Sequence, residues 1–154
     1  MKMSPEYRKA QENMQPGVIT ADGFLGSDTR NIVEIIEADE AEFNRLGMDF
    51  DEVAAQLRHL LNEGRKGLDE PITVDKNWIV TTTEARGHLA SPFEDGIFRK
   101  VNATIQRAPG GKPEGPSLLV SDLSLHLMEK NHFLQGKDAS FRIEPHVVKT
   151  VLGL

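Results

Sequence analysis

Three residues near the C-terminal end of the chain could do chemistry together: His126, Glu129 and His132. If the segment is a helix, this spacing places neighbouring members of the set in contact along one edge, and imidazole and carboxylate groups bind metals or move protons. The two histidines would lie about 9 Å apart along the axis, too far for both to bind one ion directly. Metal ligation by these three residues is therefore one hypothesis, and histidines that pack and hydrogen-bond are its alternative.

A second set occupies alternate positions: Glu84, Arg86 and His88. On a strand that continues through them, all three side chains would point to one side. A carboxylate, a guanidinium and an imidazole in one place could bind an anion and move a proton. We predict these three as catalytic residues, and Arg86, His88 and His126 as ligand-binding residues. The alternative is a surface Glu–Arg pair beside an exposed histidine.

The glycine-rich segments do not complete a known nucleotide-binding motif. Gly23–Ser27 precedes a predicted helix, but it lacks the lysine of a phosphate loop and the dinucleotide fingerprint. The carboxylates of Asp22 and Asp28 would also repel phosphate. The absence of cysteine excludes disulfides, thiolate metal sites and a cysteine nucleophile. No motif names a reaction, so the cofactor, if any, is unknown.

Charge is unevenly distributed along the chain. The net charge is −6, but residues 28–70 contain 12 acidic and 5 basic residues, whereas residues 71–154 contain 9 and 10. The acidic block argues against nucleic-acid binding, which needs clustered lysine and arginine. It is compatible with a basic protein partner, and the alternative is a solvated helix face.

Length and hydropathy predict one domain spanning residues 1–154. The N-terminal sequence lacks the apolar core of a signal peptide, and no run approaches the roughly 18 apolar residues that span a bilayer. We therefore expect a cytoplasmic protein that contacts no membrane.

Helical patterns dominate the first part of the chain. Residues 1–17 form an N-terminal arm, and residues 28–65 have the spacing of two acidic amphipathic helices. Asp39 falls on the apolar face of the first of them. Either its carboxylate is buried there, or the helix breaks and Asp39 caps a new helix together with Glu42. We favour the break, because an unpaired buried carboxylate is costly.

Strand patterns replace helical ones across residues 71–107. They are followed by a predicted helix over 121–136, a short strand around 141–143 and an apolar docking tail, 145–154. The fold class is therefore α+β: an antiparallel sheet of three or more strands with amphipathic helices packed on one face. The tail is too apolar to stand alone, so it docks on the body or on a second copy, and we expect a homodimer.

Three segments, DGFLGSDTR, TEARGHLASPF and LSLHLMEKNHFLQGKDASFRIEP, resemble those of uncharacterised bacterial cytosolic proteins. The resemblance covers the chain from about Pro16 to Pro145. It implies a cytosolic protein, and it implies no activity and no site residue.

Two functional hypotheses follow from these observations. The first is a non-enzymatic interaction or ligand-binding domain, dimeric through its tail. The second is a small cytosolic enzyme, or a metal-dependent binder, that uses the His/Glu/Arg residues named above. The two differ in whether those side chains converge in one pocket.

Overall fold

Residues 2–154, which the computed structural model describes, form five α-helices and one four-stranded antiparallel sheet. Met1, the first residue of the predicted arm, lies outside this range. The α+β class is therefore confirmed. In chain order the elements are α1 (Pro5–Asn13), α2 (Ile32–Arg45), α3 (Phe50–Gly64), β1 (Ile72–Val74), β2 (Trp78–Ala90), β3 (Ile97–Arg107), β4 (Ser117–Ser121), α4 (Asp122–Asn131) and α5 (Pro145–Leu152).

The sheet is a simple meander in which each strand pairs with the next in the chain. Val80, Ile105 and Leu118 lie opposite one another across three strands and are buried. Because alternate residues of a strand share a face, these residues define the inner face of the sheet. The opposite, outer face carries mainly polar side chains.

Two apolar clusters stabilise the molecule. The first lies between the inner face of the sheet and helices α3, α4 and α5, and the second joins α1, α2 and the segment around Phe24. Helix α4 belongs to both, since Leu125 and Met128 enter the first cluster while Leu123 and Leu127 enter the second. None of the helices formed by residues 2–154 has the length and apolarity needed to cross a membrane.

The predicted break at Asp39 is wrong. Helix α2 runs through this position, and Asp39 is buried. Its two carboxylate oxygens accept hydrogen bonds of 2.8 and 2.9 Å from Arg142. The energetic cost that argued for a break applies to an unpaired carboxylate, and Asp39 is paired. Its partner Arg142 lies 103 residues further along the chain, so the local sequence does not indicate it.

The predicted elements near the C-terminus need two corrections. Helix α4 ends at Asn131 rather than Gly136, because His132 adopts a left-handed conformation with φ of 53°. The segment around 141–143 is not a strand, although the Ile143 N–H donates to the Leu134 carbonyl. The docking tail forms α5, and its Val148, Val151 and Leu152 side chains are buried within the same chain.

Candidate functional site

His126 is buried, and two residues at the tip of the β2–β3 hairpin hold its ring in place. Its ring packs on Phe98 with centroids 4.2 Å apart, and its Nε2 lies 3.0 Å from the Asp95 carboxylate. Burial raises the pKa of Asp95, but hydrogen bonds from Ser91 and His126 outweigh it and leave that pKa below its ordinary value. The His126–Asp95 contact therefore ties the hairpin to α4.

Glu129 and His132 have partners of their own. Glu129 accepts a hydrogen bond of 3.1 Å from Arg58. The His132 Nδ1 lies 2.8 Å from the Glu40 carboxylate, and the ring stacks on Phe50 at 4.2 Å. Across residues 2–154, no group of three or more histidine, aspartate or glutamate side chains is placed to hold a metal ion.

Glu84, Arg86 and His88 all lie on β2, which continues to Ala90 and contains a β-bulge between Ala85 and His88. A strand therefore continues through all three positions, but the bulge interrupts the alternation that would place the three side chains on one side. All three side chains are exposed, and Glu84 pairs with Arg65 at 2.7 Å.

His88 does not face His126. Across the hairpin His88 lies opposite Arg99, whereas His126 packs on the neighbouring residue, Phe98. Successive side chains of a strand point to opposite sides, so the two imidazoles lie on different sides of β3. The structure thus distributes the six predicted site residues over separate places, and of these six only Glu84 borders a cleft over the outer face of the sheet.

A cleft of about 540 Å³ lies over the outer face of the sheet. Its floor is a row of polar side chains in register across three strands, Thr83, Asn102 and Ser121. Lys100 lies two residues before Asn102 on β3 and also lines the cleft. Residues 19–24 line it as well, as do four side chains from other parts of the chain: Leu123, Gln135, Ser140 and Phe141. Polar groups at the floor and apolar groups at the walls suit an amphipathic molecule.

Lys100 and Arg99 are the basic residues that line this cleft, and both are exposed. Within residues 2–154 neither side chain has an ion pair or a hydrogen bond. Of the acidic residues there, Glu84 is paired with Arg65, and Asp22 is exposed on the loop that lines one wall. An anion would therefore be attracted by Lys100 and Arg99 and repelled by Asp22.

Two glycines allow two chain segments beside the cleft, residues 24–28 and 135–138, to cross in close contact. The Gly136 N–H donates 2.9 Å to the Phe24 carbonyl, and the Ser27 N–H donates 2.8 Å to the Lys137 carbonyl. A Cβ atom on Gly136 would lie 2.1 Å from the Leu25 carbonyl oxygen, and one on Gly26 would lie 2.1 Å from that of Lys137. Only glycine fits at such distances.

Asp28 stabilises the contact between these two chain segments. Its carboxylate accepts hydrogen bonds of 2.9 and 2.7 Å from the Arg30 guanidinium and one of 3.1 Å from the Lys137 N–H. The hydrogen bonds from Arg30 are the main reason that the pKa of Asp28 lies well below its usual range. Asp28, which the sequence suggested as a repellent for phosphate, is thus a structural residue.

Gln135 is the residue of the cleft that sequence reasoning missed. It is 4% exposed, and its φ of 71° is left-handed. Its backbone carbonyl accepts a hydrogen bond of 2.8 Å from the Arg142 guanidinium. Burial lowers the pKa of Arg142, but the bonds to Asp39 and Glu144 outweigh it and raise that pKa, so the guanidinium stays charged. A lone glutamine carries no sequence signal that could have identified it.

Comparison of the chain with protein-family models, with curated proteins and with solved structures gives no match. Because a fold alone does not determine function, the function has to be inferred from the geometry of the cleft.

Proposed function

We propose that this protein is a ligand-binding domain whose cleft takes a small amphipathic organic anion. The observation that carries the proposal is an unpaired lysine, Lys100, at the floor of a cleft that also has apolar walls. Phe24, Leu89, Leu123 and Phe141 supply the apolar surface. The volume of about 540 Å³ falls in the range of about 300–1,000 Å³ that is typical of small-molecule sites.

Binding has more support than catalysis. The cleft is lined by no histidine among residues 2–154, and of its hydroxyl groups Ser121 already accepts a hydrogen bond from the Ser124 N–H. A nucleophile needs a general base within hydrogen-bond reach. The enzyme hypothesis also relied on convergence of the predicted residues, and His126, Glu129 and His132 pair with Asp95, Arg58 and Glu40 instead.

The expected homodimer and basic partner have less support than the cleft. The apolar tail that suggested a dimer buries its side chains within one chain. In the acidic block, Asp39 is paired with Arg142, which lies outside the block, and Asp28 and Glu42 are paired with Arg30 and Arg45. Because these ion pairs partner part of the acidic charge, the block is a weaker reason for a basic partner than its composition suggested.

The proposal is tested with the fluorescent probe 1-anilinonaphthalene-8-sulfonate, which combines aromatic rings with a sulfonate. Saturable binding of one probe per chain is expected at neutral pH. Lys100→Gln should weaken it about fivefold, since the attraction between two opposite charges about 4 Å apart at an exposed site is worth about 1 kcal/mol. Lys112→Gln, in the exposed loop after β3, is the matched control and should change nothing.

Asp22→Asn provides a test of opposite sign. Removing this carboxylate should strengthen probe binding, because it lines the same cleft as Lys100 and repels an anion. Failure of the wild type to bind the probe saturably, or equal affinities in Lys100→Gln and Lys112→Gln, would remove the proposal.

A further inference from the structure

We infer that Gln135 selects the ligand of this cleft, and that its side-chain carboxamide hydrogen-bonds the acid group, or a polar group beside it, of the bound anion. This inference rests on the function proposed above. The ligand class is then narrower than an amphipathic anion: it is an organic acid whose oxygens accept from both the Lys100 ammonium and the Gln135 carboxamide. A purely aliphatic or cationic molecule would leave the carboxamide unpaired.

The first observation is a polar side chain of the cleft wall that has no partner within the protein. Gln135 is 4% exposed and lines the cleft, and within residues 2–154 its carboxamide makes no hydrogen bond. Among the described residues the buried side-chain atom that lacks a partner is the Asn131 oxygen, so the amide atoms of Gln135 reach the solvent of the cleft. A carboxamide has two N–H donors and one acceptor oxygen, and a ligand in the cleft would take these hydrogen bonds over from water.

The second observation is that the backbone of Gln135 is held in place, so its side chain cannot move to a hydrogen-bond partner within the protein. Its backbone is left-handed, with φ of 71°, a conformation that is uncommon for residues other than glycine and that persists only where neighbours impose it. Arg142 donates 2.8 Å to the Gln135 carbonyl, and Asp39 holds Arg142 through two further bonds. Asp39 and Arg142 are therefore positioning residues for Gln135.

The backbone directly after Gln135 is held in place as well. The Gly136 N–H bonds the Phe24 carbonyl, so the backbone on both sides of the Gln135 side chain is anchored. An anchored, left-handed backbone and a carboxamide without a protein partner, at the wall of a cleft, are the combination expected of a preorganised binding group.

Gln135→Leu separates a binding role from a structural one. Leucine has nearly the same size, and the backbone bond to Arg142 does not involve the side chain. If the carboxamide serves the ligand, the variant should bind 1-anilinonaphthalene-8-sulfonate about tenfold more weakly, the loss expected for a hydrogen bond to a charged group. Its thermal midpoint without probe should change little, because the carboxamide makes no hydrogen bond within the protein.

Two further variants complete the experiment. Gln135→Glu keeps the shape but adds a negative charge, and should weaken the probe more than Gln135→Leu does; it also serves if the leucine variant does not fold. Gln56→Leu, on α3 and outside the cleft, should leave probe affinity unchanged.

The possible outcomes separate the inference from the proposal beneath it. Loss of affinity with an unchanged or higher thermal midpoint supports the inference. Wild-type affinity in Gln135→Leu and Gln135→Glu, alongside weakened binding in Lys100→Gln, overturns the inference and leaves the proposed function standing. A lower thermal midpoint with unchanged affinity assigns Gln135 a structural role and also overturns it. No saturable binding by the wild type removes both.

Discussion

Asp39 and Arg142 form the most buried ion pair described in this molecule, with side-chain exposures of 6% and 11%. Removing one member of such a pair leaves the other charge uncompensated, at a cost of about 3–5 kcal/mol. Asp39→Asn should therefore lower the free energy of unfolding by about 3 kcal/mol, measured by urea denaturation at pH 7. Glu42→Gln, which breaks an exposed pair with Arg45 on the same helix, should leave the urea midpoint unchanged, and equal losses would contradict the assignment.

Asp28 makes stability depend on pH. Hydrogen bonds from Arg30 and from the Lys137 N–H hold its pKa well below the usual range, whereas the unfolded chain has an ordinary value of about 3.9. Its stabilisation is therefore fully present above the unfolded value and is lost as the pH falls through the lowered folded value. The stability difference between wild type and Asp28→Asn, measured in urea, should be constant from pH 7 to about 5 and shrink below about 4. A difference that persists undiminished in acid would contradict this.

At the scale of elements, the crossing of residues 24–28 with residues 135–138 shapes the cleft. Gly136→Ala should separate the two segments, because its Cβ would lie 2.1 Å from a backbone oxygen that cannot move like a side chain. Overpacking of this kind costs about 1–3 kcal/mol, and binding of 1-anilinonaphthalene-8-sulfonate should weaken as the wall shifts. Gly111→Ala has backbone strain but no neighbour within 4 Å, so it should leave probe binding unchanged; parallel loss of binding in both variants would count against this account.

Elements with a local cause were predictable from the sequence. Helix α3 has an apolar stripe and begins after Asp49, whose side chain accepts a hydrogen bond from the Glu52 N–H, and β3 follows the strand pattern predicted across residues 71–107. Elements with a distant cause were not predictable. The continuity of α2 depends on Arg142, and the irregular chain after α4 depends on its pairing with Phe24 and Ser27.

The candidate site follows the same division. The spacing of His126, Glu129 and His132 predicted one helix edge, but His132 lies beyond the end of α4. The partners of the three residues come from α2, α3 and the β2–β3 hairpin, which the spacing does not specify. Alternation along β3 accounts for Lys100 and Asn102 on its polar face. Gln135 is buried by segments that lie more than 100 residues apart in the chain, which no local pattern indicates.

At the scale of the whole molecule, α4 joins the two apolar clusters, with Leu125 in the first and Leu127 in the second. Elements that share buried side chains in this way lose stability together, so the two clusters should unfold as one cooperative unit. The alternative is an N-terminal unit of α1 and its neighbours that opens first, as low-stability segments do in many proteins.

The single tryptophan and the single tyrosine distinguish these alternatives without any labelling. Trp78 packs against the first cluster and its Nε1–H donates 2.8 Å to the Val151 carbonyl, while Tyr7 packs against the second, with its ring 5.7 Å from that of Phe93. Urea midpoints from Trp78 fluorescence and from second-derivative absorbance of Tyr7 should coincide. Leu127→Ala should lower both midpoints by the same amount, because its cost of about 2–5 kcal/mol reduces the stability of a single cooperative unit. A Tyr7 transition at lower urea than that of Trp78, or a Leu127→Ala effect confined to Tyr7, would show instead that the second cluster opens on its own.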